Sequence, residues 1–216
     1  MYYYNEIINS FKKMDYDLNY PEIIIYSVNM AKLMELLNRK DYNSAVDYIV
    51  EKMKLIKGAG ADFAAMTANT PHLLFNDIQR KLDMTVISIV EPTCEKALAA
   101  EIKRPGLIGT KFTMDAAFYP DVFNKNGMTI FVLNEEEKEI INEKLFTEIE
   151  LGIFKDETRD LLLLIVEKMI QRDNIDGLIL GCTEFPLILK EEKYFDIPVL
   201  STTSIHVEKI VSYCMN

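Results

Sequence analysis

Short runs of Ile, Val, Leu and Phe, each bounded by polar or turn residues, alternate along this chain with longer stretches whose apolar residues recur near helical spacing. The pattern predicts helices over 3–14, 42–58, 71–82, 92–102, 112–123, 135–151, 158–172, 186–190 and 204–213. It predicts strands over 22–27, 62–67, 86–89, 107–109, 129–132, 177–180 and 198–200. Glu22-Ile23-Ile24-Ile25-Tyr26-Ser27 reads as a buried strand, and Gly58 ends the helix that begins at Tyr42. Strands alternating with helices imply an α/β fold with parallel sheets covered on both faces. Composition changes at Lys103-Arg104-Pro105. This places a first α/β domain at 1–103 and a second at 104–203, with a C-terminal helix, 204–216, returning to the first.

One segment occurs twice. Asp176-Gly177-Leu178-Ile179-Leu180-Gly181-Cys182-Thr183-Glu184-Phe185-Pro186 is a buried strand running into a polar turn, and Asp62-Phe63-Ala64-Ala65-Met66-Thr67-Ala68-Asn69-Thr70-Pro71 reads the same way. In each copy an Asp stands six positions before the residue that opens the turn. The pairing is asymmetric, because Cys182 in one copy corresponds to Ala68 in the other. Two related half-sites suggest a ligand held between two similar halves. In parallel sheets ligands gather at the carboxyl ends of strands, where both copies place their polar residues just before a helix. Helix N-termini carry free N–H groups and partial positive charge, so they suit a carboxylate and lower the pKa of a thiol placed there.

Composition narrows the partners. The chain has 216 residues, 49% of them apolar, which is enough to bury a sizeable core. A net charge of -10 without a dense Lys/Arg cluster argues against nucleic acid or an anionic membrane as partner. No apolar run is long enough to span a membrane, and the first residues lack the pattern of a signal peptide, so the default location is cytoplasmic. Three cysteines, Cys94, Cys182 and Cys214, lie at no CxxC spacing and stand beside two histidines, so no zinc set is expected. Cys94 and Cys214 read as structural.

Four segments in order resemble the aspartate/glutamate racemase family (the Asp/Glu/hydantoin racemase superfamily). They are Thr67-Ala68-Asn69-Thr70-Pro71-His72, Gly106-Leu107-Ile108-Gly109-Thr110-Lys111-Phe112-Thr113-Met114, Leu180-Gly181-Cys182-Thr183-Glu184-Phe185-Pro186 and Thr202-Thr203-Ser204-Ile205-His206. The resemblance covers nearly the whole chain. It implies two similar Rossmann-like domains related by pseudo-two-fold symmetry, with the active site in the interdomain cleft and often a homodimer. It also implies cofactor-independent chemistry without a metal, in which a thiolate removes the α-hydrogen of an amino acid and an acid on the opposite face returns a proton. A carboxylate surrounded by N–H and hydroxyl donors would stabilise the charge that develops.

Carried onto this chain, the resemblance makes Cys182 the thiol base and acid, with Glu184 orienting it or taking its proton. Asn69, Thr70, Thr183 and Thr110 are candidate substrate-binding residues, and Lys155 is a candidate for a side-chain carboxylate. Three departures stand out. Ala68 replaces the family's first catalytic residue, which excludes a two-cysteine mechanism. The family's N-terminal strand and Gly-Gly-Met loop are expected ahead of the first helix, whereas the chain opens at Met1-Tyr2-Tyr3-Tyr4 on what resembles the helix after that loop. No arginine occurs over 26–37, where some aspartate racemases keep one. Three functions remain open: a cofactor-independent amino-acid racemase of aspartate/glutamate type, a single-cysteine decarboxylase of the same superfamily, or an impaired paralogue that binds an amino acid without turnover. His72 and His206 read as helix-end or buried packing residues.

Overall fold

The computed structural model describes residues 2–14 and 18–215. The elements, in chain order, are α1 (Tyr2–Lys13), α2 (Met30–Asn38), α3 (Tyr42–Gly58), β1 (Phe63–Ala65), α4 (Phe75–Arg80), β2 (Thr85–Ile87), α5 (Val90–Ala99), β3 (Pro105–Gly109), α6 (Lys111–Asp115), α7 (Phe118–Lys125), β4 (Phe131–Val132), α8 (Glu135–Thr147), α9 (Asp156–Asp173), β5 (Gly177–Gly181), α10 (Phe185–Ile188), β6 (Lys193–Tyr194), β7 (Ile197–Ser201) and α11 (Thr202–Cys214). Short 3-10 turns at Thr70–Leu74 and Ile149–Leu151 precede α4 and follow α8.

The chain divides into two compact units. The first holds residues 1–66, 74–88 and 207–216, and the second holds 67–73 and 89–206. The division places residues 207–216 with the first unit, where the C-terminal helix was expected to return, but sets the boundary at 88/89 and not at 103, with 67–73 in the second unit. Helix α5 belongs with the second unit because Val90, Cys94 and Ala97 pack in one cluster with Leu107, Ile179 and Leu200 from its strands.

In the first unit β1 pairs with β2 in parallel, Phe63 opposite Thr85 and Ala65 opposite Ile87. Ile7, Phe11, Ile87, Val207, Ile210 and Val211 form its core cluster. Helix α3 follows from its sequence. Asp41 caps it by accepting from the Ser44 amide at 3.2 Å, and Ala45, Val46, Ile49, Val50 and Met53 fall on one buried face. The strand expected over 22–27 does not form. That stretch has no regular secondary structure and no strand partner among the described residues, and Ile25 is 62% exposed. Isoleucine favours strands, yet a strand exists only where a neighbour completes its hydrogen-bond ladder. Among the described residues no strand is hydrogen-bonded to this segment, although Ile23 packs on the same core cluster as Phe63 and Ala65 of β1. Helix α2 was not read from the sequence, although Asn29 caps it through the Lys32 amide and Leu33 and Leu37 form its buried seam.

In the second unit the sheet order is β4-β3-β5-β7-β6, parallel except for the β6–β7 pair. Side chains alternate across its central strands. Leu178 and Leu180 of β5, with Ile108 of β3, pack against Ile141 and Leu145 of α8 and Leu162, Ile165 and Val166 of α9. Ile179 and Leu107 face the other way, against α5 and the Tyr119 and Phe123 rings of α7. Asp176 accepts from the Lys103 and Arg104 amides at 2.8 and 2.7 Å, tying the entry of β5 to that of β3. The single helix expected over 112–123 is two, because Pro120 has no N–H to continue a helix from Ala116, whose backbone is extended. Helix α8 opens on a capping box in which Asn134 and Glu137 exchange side-chain-to-backbone hydrogen bonds at 2.9 and 3.1 Å. No helix among the described residues is long and apolar enough to cross a membrane.

Candidate active site

Strand β5 is buried at every position and lies between β3 and β7. It ends on Gly181, opposite Gly109 at the end of β3. A Cβ at Gly181 would stand 2.8 Å from the Leu107 side chain and 3.0 Å from the Ile108 carbonyl oxygen, so the two strand ends approach as only glycine allows. The polar turn leaves the sheet here. Cys182 Sγ donates to Glu184 Oε2 at 3.1 Å, and Thr183 Oγ1 donates to the same oxygen at 2.6 Å. Thiol, hydroxyl and carboxylate thus converge on one atom, with Phe185 buried behind them at the start of α10.

Cys182 is 6% exposed. Burial first, and the Glu184 carboxylate second, push its thiol well above the ordinary range. This corrects the expectation that a helix N-terminus lowers it. Helix α10 is four residues long, too short to outweigh the loss of hydration and a carboxylate in contact. Glu150 adds to the effect, and its own carboxyl is raised by desolvation first and by the Glu184 charge second.

The other expected residues fall at three places. Thr110 follows β3, but its hydroxyl caps α6 by accepting from the Thr113 amide at 3.2 Å while donating to Thr113 Oγ1 at 3.0 Å. Asn69 is 4% exposed; its Oδ1 accepts from Tyr119 Oη at 2.7 Å and its Nδ2 donates to Thr202 Oγ1 at 3.2 Å. Thr202 in turn donates to the Leu180 carbonyl at 2.8 Å, which links Asn69 to the strand carrying Cys182. Thr70, also buried, opens the 3-10 turn after Asn69. Lys155 is not part of the Cys182 cluster. It pairs at 3.2 Å with Glu148, which also takes Lys144 at 2.8 Å and the Thr158 hydroxyl, and these donors, Lys144 foremost, hold the Glu148 carboxyl at about 2.

Both histidines are buried, as the sequence suggested. The Ile89 amide donates to His72 Nε2 at 3.0 Å, so Nδ1 carries the proton and donates to the Ala68 carbonyl at 2.9 Å. The His206 ring lies edge-on to His72, its centroid 6.2 Å away. Tyr119, Glu148 and Glu150 were not found from the sequence, and Thr202 entered only as part of a family-like segment without a role of its own. Each is an ordinary residue for a helix or turn, and only the fold brings it to these partners.

Residues 1–210 match the family described as Asp/Glu/Hydantoin racemase. The chain is 24% identical over 196 residues to the broad specificity amino-acid racemase RacX of Bacillus subtilis, covering 91% of this chain and 83% of that protein. It is 27% identical over 205 residues to the glutamate racemase of Aquifex pyrophilus, covering 91% of this chain and 72% of that one. The crystal structure of an aspartate racemase homologue from Pyrococcus horikoshii superposes with a TM-score of 0.84 at 33% identity, covering 100% of this chain and 93% of that chain.

Proposed function

Because this chain belongs to the Asp/Glu/hydantoin racemase family, we propose that it moves a proton at the α-carbon of a free amino acid of aspartate or glutamate type, with Cys182 as the group that exchanges it. The observation that carries this reading is the 3.1 Å hydrogen bond from Cys182 Sγ to Glu184 Oε2 at the carboxyl end of β5. A neutral buried thiol is a poor base. A carboxylate already accepting its hydrogen bond is placed to take the proton and leave a thiolate facing the substrate. The substrate ammonium supplies compensating positive charge when it enters. The thiolate then removes the α-hydrogen, and the charge passes onto the α-carboxylate. Asn69 and Thr70 are the donors assigned to that carboxylate, and Thr110 and Thr183 join them only by giving up the hydroxyl protons they donate to Thr113 Oγ1 and Glu184 Oε2. Lys155 is assigned to a side-chain carboxylate, for which it must share its charge with Glu148. The chemistry so drawn uses protein groups alone.

Ala68 favours a second outcome. A methyl group carries no proton, so no side chain at that position returns one to the opposite face. The reaction is then either completed by another donor or confined to one hand, as in protonation of a carbanion after loss of CO₂ from a substituted malonate. The test is incubation with L- and with D-aspartate and glutamate in D₂O, following loss of the α-proton by NMR and enantiomer composition by chiral chromatography. Exchange from both hands, abolished in Cys182→Ala, supports racemisation. Exchange from one hand supports the one-sided reaction, with release of CO₂ from malonates as its check. Saturable binding without exchange, unchanged in Cys182→Ala, identifies a binding protein and defeats the catalytic reading.

A further inference from the structure

The hydrogen bonds around Asn69 run in one direction only. The Leu180 carbonyl can only accept, so the single hydroxyl proton of Thr202 is committed to it at 2.8 Å. Thr202 Oγ1 must then accept from its other neighbour, 3.2 Å away, which places the amide nitrogen of Asn69, not its oxygen, against Thr202. The amide oxygen therefore faces Tyr119, whose hydroxyl must donate to it at 2.7 Å. Every member of the chain is buried, with Tyr119 and Thr202 fully so. Each polarity follows from the one before, and the first is set by a backbone group of β5.

We propose that Tyr119 and Thr202 are positioning residues that lock the Asn69 amide in one orientation and hold its second N–H ready as a donor for the substrate carboxylate. This rests on the reading above, in which Asn69 binds that carboxylate, and adds to it the device that orients the amide. A free asparagine amide presents oxygen or nitrogen with nearly equal ease, and an oxygen turned toward a carboxylate would repel it. Anchoring the amide to Leu180 removes that alternative. It also ties the carboxylate donor to the strand that ends at Cys182, so that the bound anion and the thiol share one rigid support.

The experiment is a double-mutant cycle. Tyr119→Phe removes one hydroxyl and keeps the ring packed on Phe118 and Phe123. It is expected to raise KM for L-aspartate, or Kd by calorimetry, roughly five- to tenfold while kcat moves about twofold or less. In an Asn69→Ala background the same change is expected to add less than about twofold, because a positioning residue has nothing left to position. Thr202→Val should weaken binding as Tyr119→Phe does, and Thr202→Ser, which keeps the hydroxyl, should restore it. Equal effects of Tyr119→Phe in both backgrounds, a loss of kcat at unchanged KM, or equal behaviour of Thr202→Val and Thr202→Ser would each overturn the proposal. If the wild type binds aspartate or glutamate but exchanges no α-proton, the reaction reading fails alone and the cycle is read on Kd. If it binds neither, both readings fall.

Discussion

Acidification offers a direct check on the buried histidine pair. Burial first, and the neighbouring His206 ring second, lower His72 from 6.5 to about 3. Nδ1 and Nε2 are both engaged, by the Ala68 carbonyl and the Ile89 amide, and the amide can bond only to an unprotonated Nε2. Above pH 6.5 the ring is neutral in folded and unfolded chains alike and costs nothing. Below it the unfolded chain binds a proton that the folded chain refuses, so stability falls as pH falls, and the loss levels off near pH 3. The slope is about 1.4 kcal/mol for each pH unit, or about 2 kcal/mol by pH ~5. That corresponds to roughly 4–8 °C in melting temperature for a chain of this size. Desolvation raises the Glu91 and Glu150 carboxyls toward this window, so the His72 contribution is read as the difference between wild type and variant from about pH 6.5 to about pH 5. His72→Gln keeps an acceptor for the Ile89 amide and loses the titration. Its baseline stability should drop by about 1 kcal/mol with the lost bond to Ala68, but its stability should fall less between those pH values than the wild type's does. Urea unfolding across the pH series measures both slopes, and parallel curves for wild type and variant would refute the assignment.

Two further outcomes follow from the site. In a background with Cys94 and Cys214 replaced by Ser, Glu184→Gln removes the carboxylate that helps raise the Cys182 thiol, so the pH profile of its alkylation should move downward while α-proton exchange is lost; a profile that stays put or moves upward contradicts the contact. Gly181→Ala forces a Cβ against the Leu107 side chain and the Ile108 carbonyl of β3, and should cost about 1–3 kcal/mol in chemical denaturation, whereas Gly58→Ala, whose Cβ meets open space, should be neutral or slightly stabilising.

The legible part of the fold is the part set by local pattern and a buried sheet. The run Gly177–Leu180 is apolar throughout because β5 is covered on both faces, by α8 and α9 on one side and α5 and α7 on the other. Helix α3 declares itself through Asp41, its buried face and Gly58. The misread elements failed for reasons beyond local pattern. Residues 22–27 have strand composition, but a strand is a relation between two segments, and among the described residues no strand is hydrogen-bonded to this one. Helices α6 and α7 share one apolar periodicity, and only the missing N–H of Pro120 reports the break.

The candidate site shows the same limit more sharply. Cys182, Thr183 and Glu184 are adjacent in sequence and sit where a strand gives way to a turn, so their meeting on one carboxylate oxygen is a local event that the motif announces. The direction of the thiol's acidity is not local. A helix N-terminus lowers the thiol's pKa while burial first, and the Glu184 carboxylate second, raise it, and the balance depends on the length of α10 and on how completely Phe185 and its neighbours exclude water. Asn69 lies further still beyond sequence reasoning, because its partners stand 50 and 133 positions away. Each of those partners has a sufficient reason to be where it is as a packed aromatic or a helix-opening threonine. Their joint effect appears only when the single proton of Thr202 is followed to the Leu180 carbonyl, for then one backbone oxygen determines that a distant amide turns its nitrogen to Thr202 and its oxygen to Tyr119.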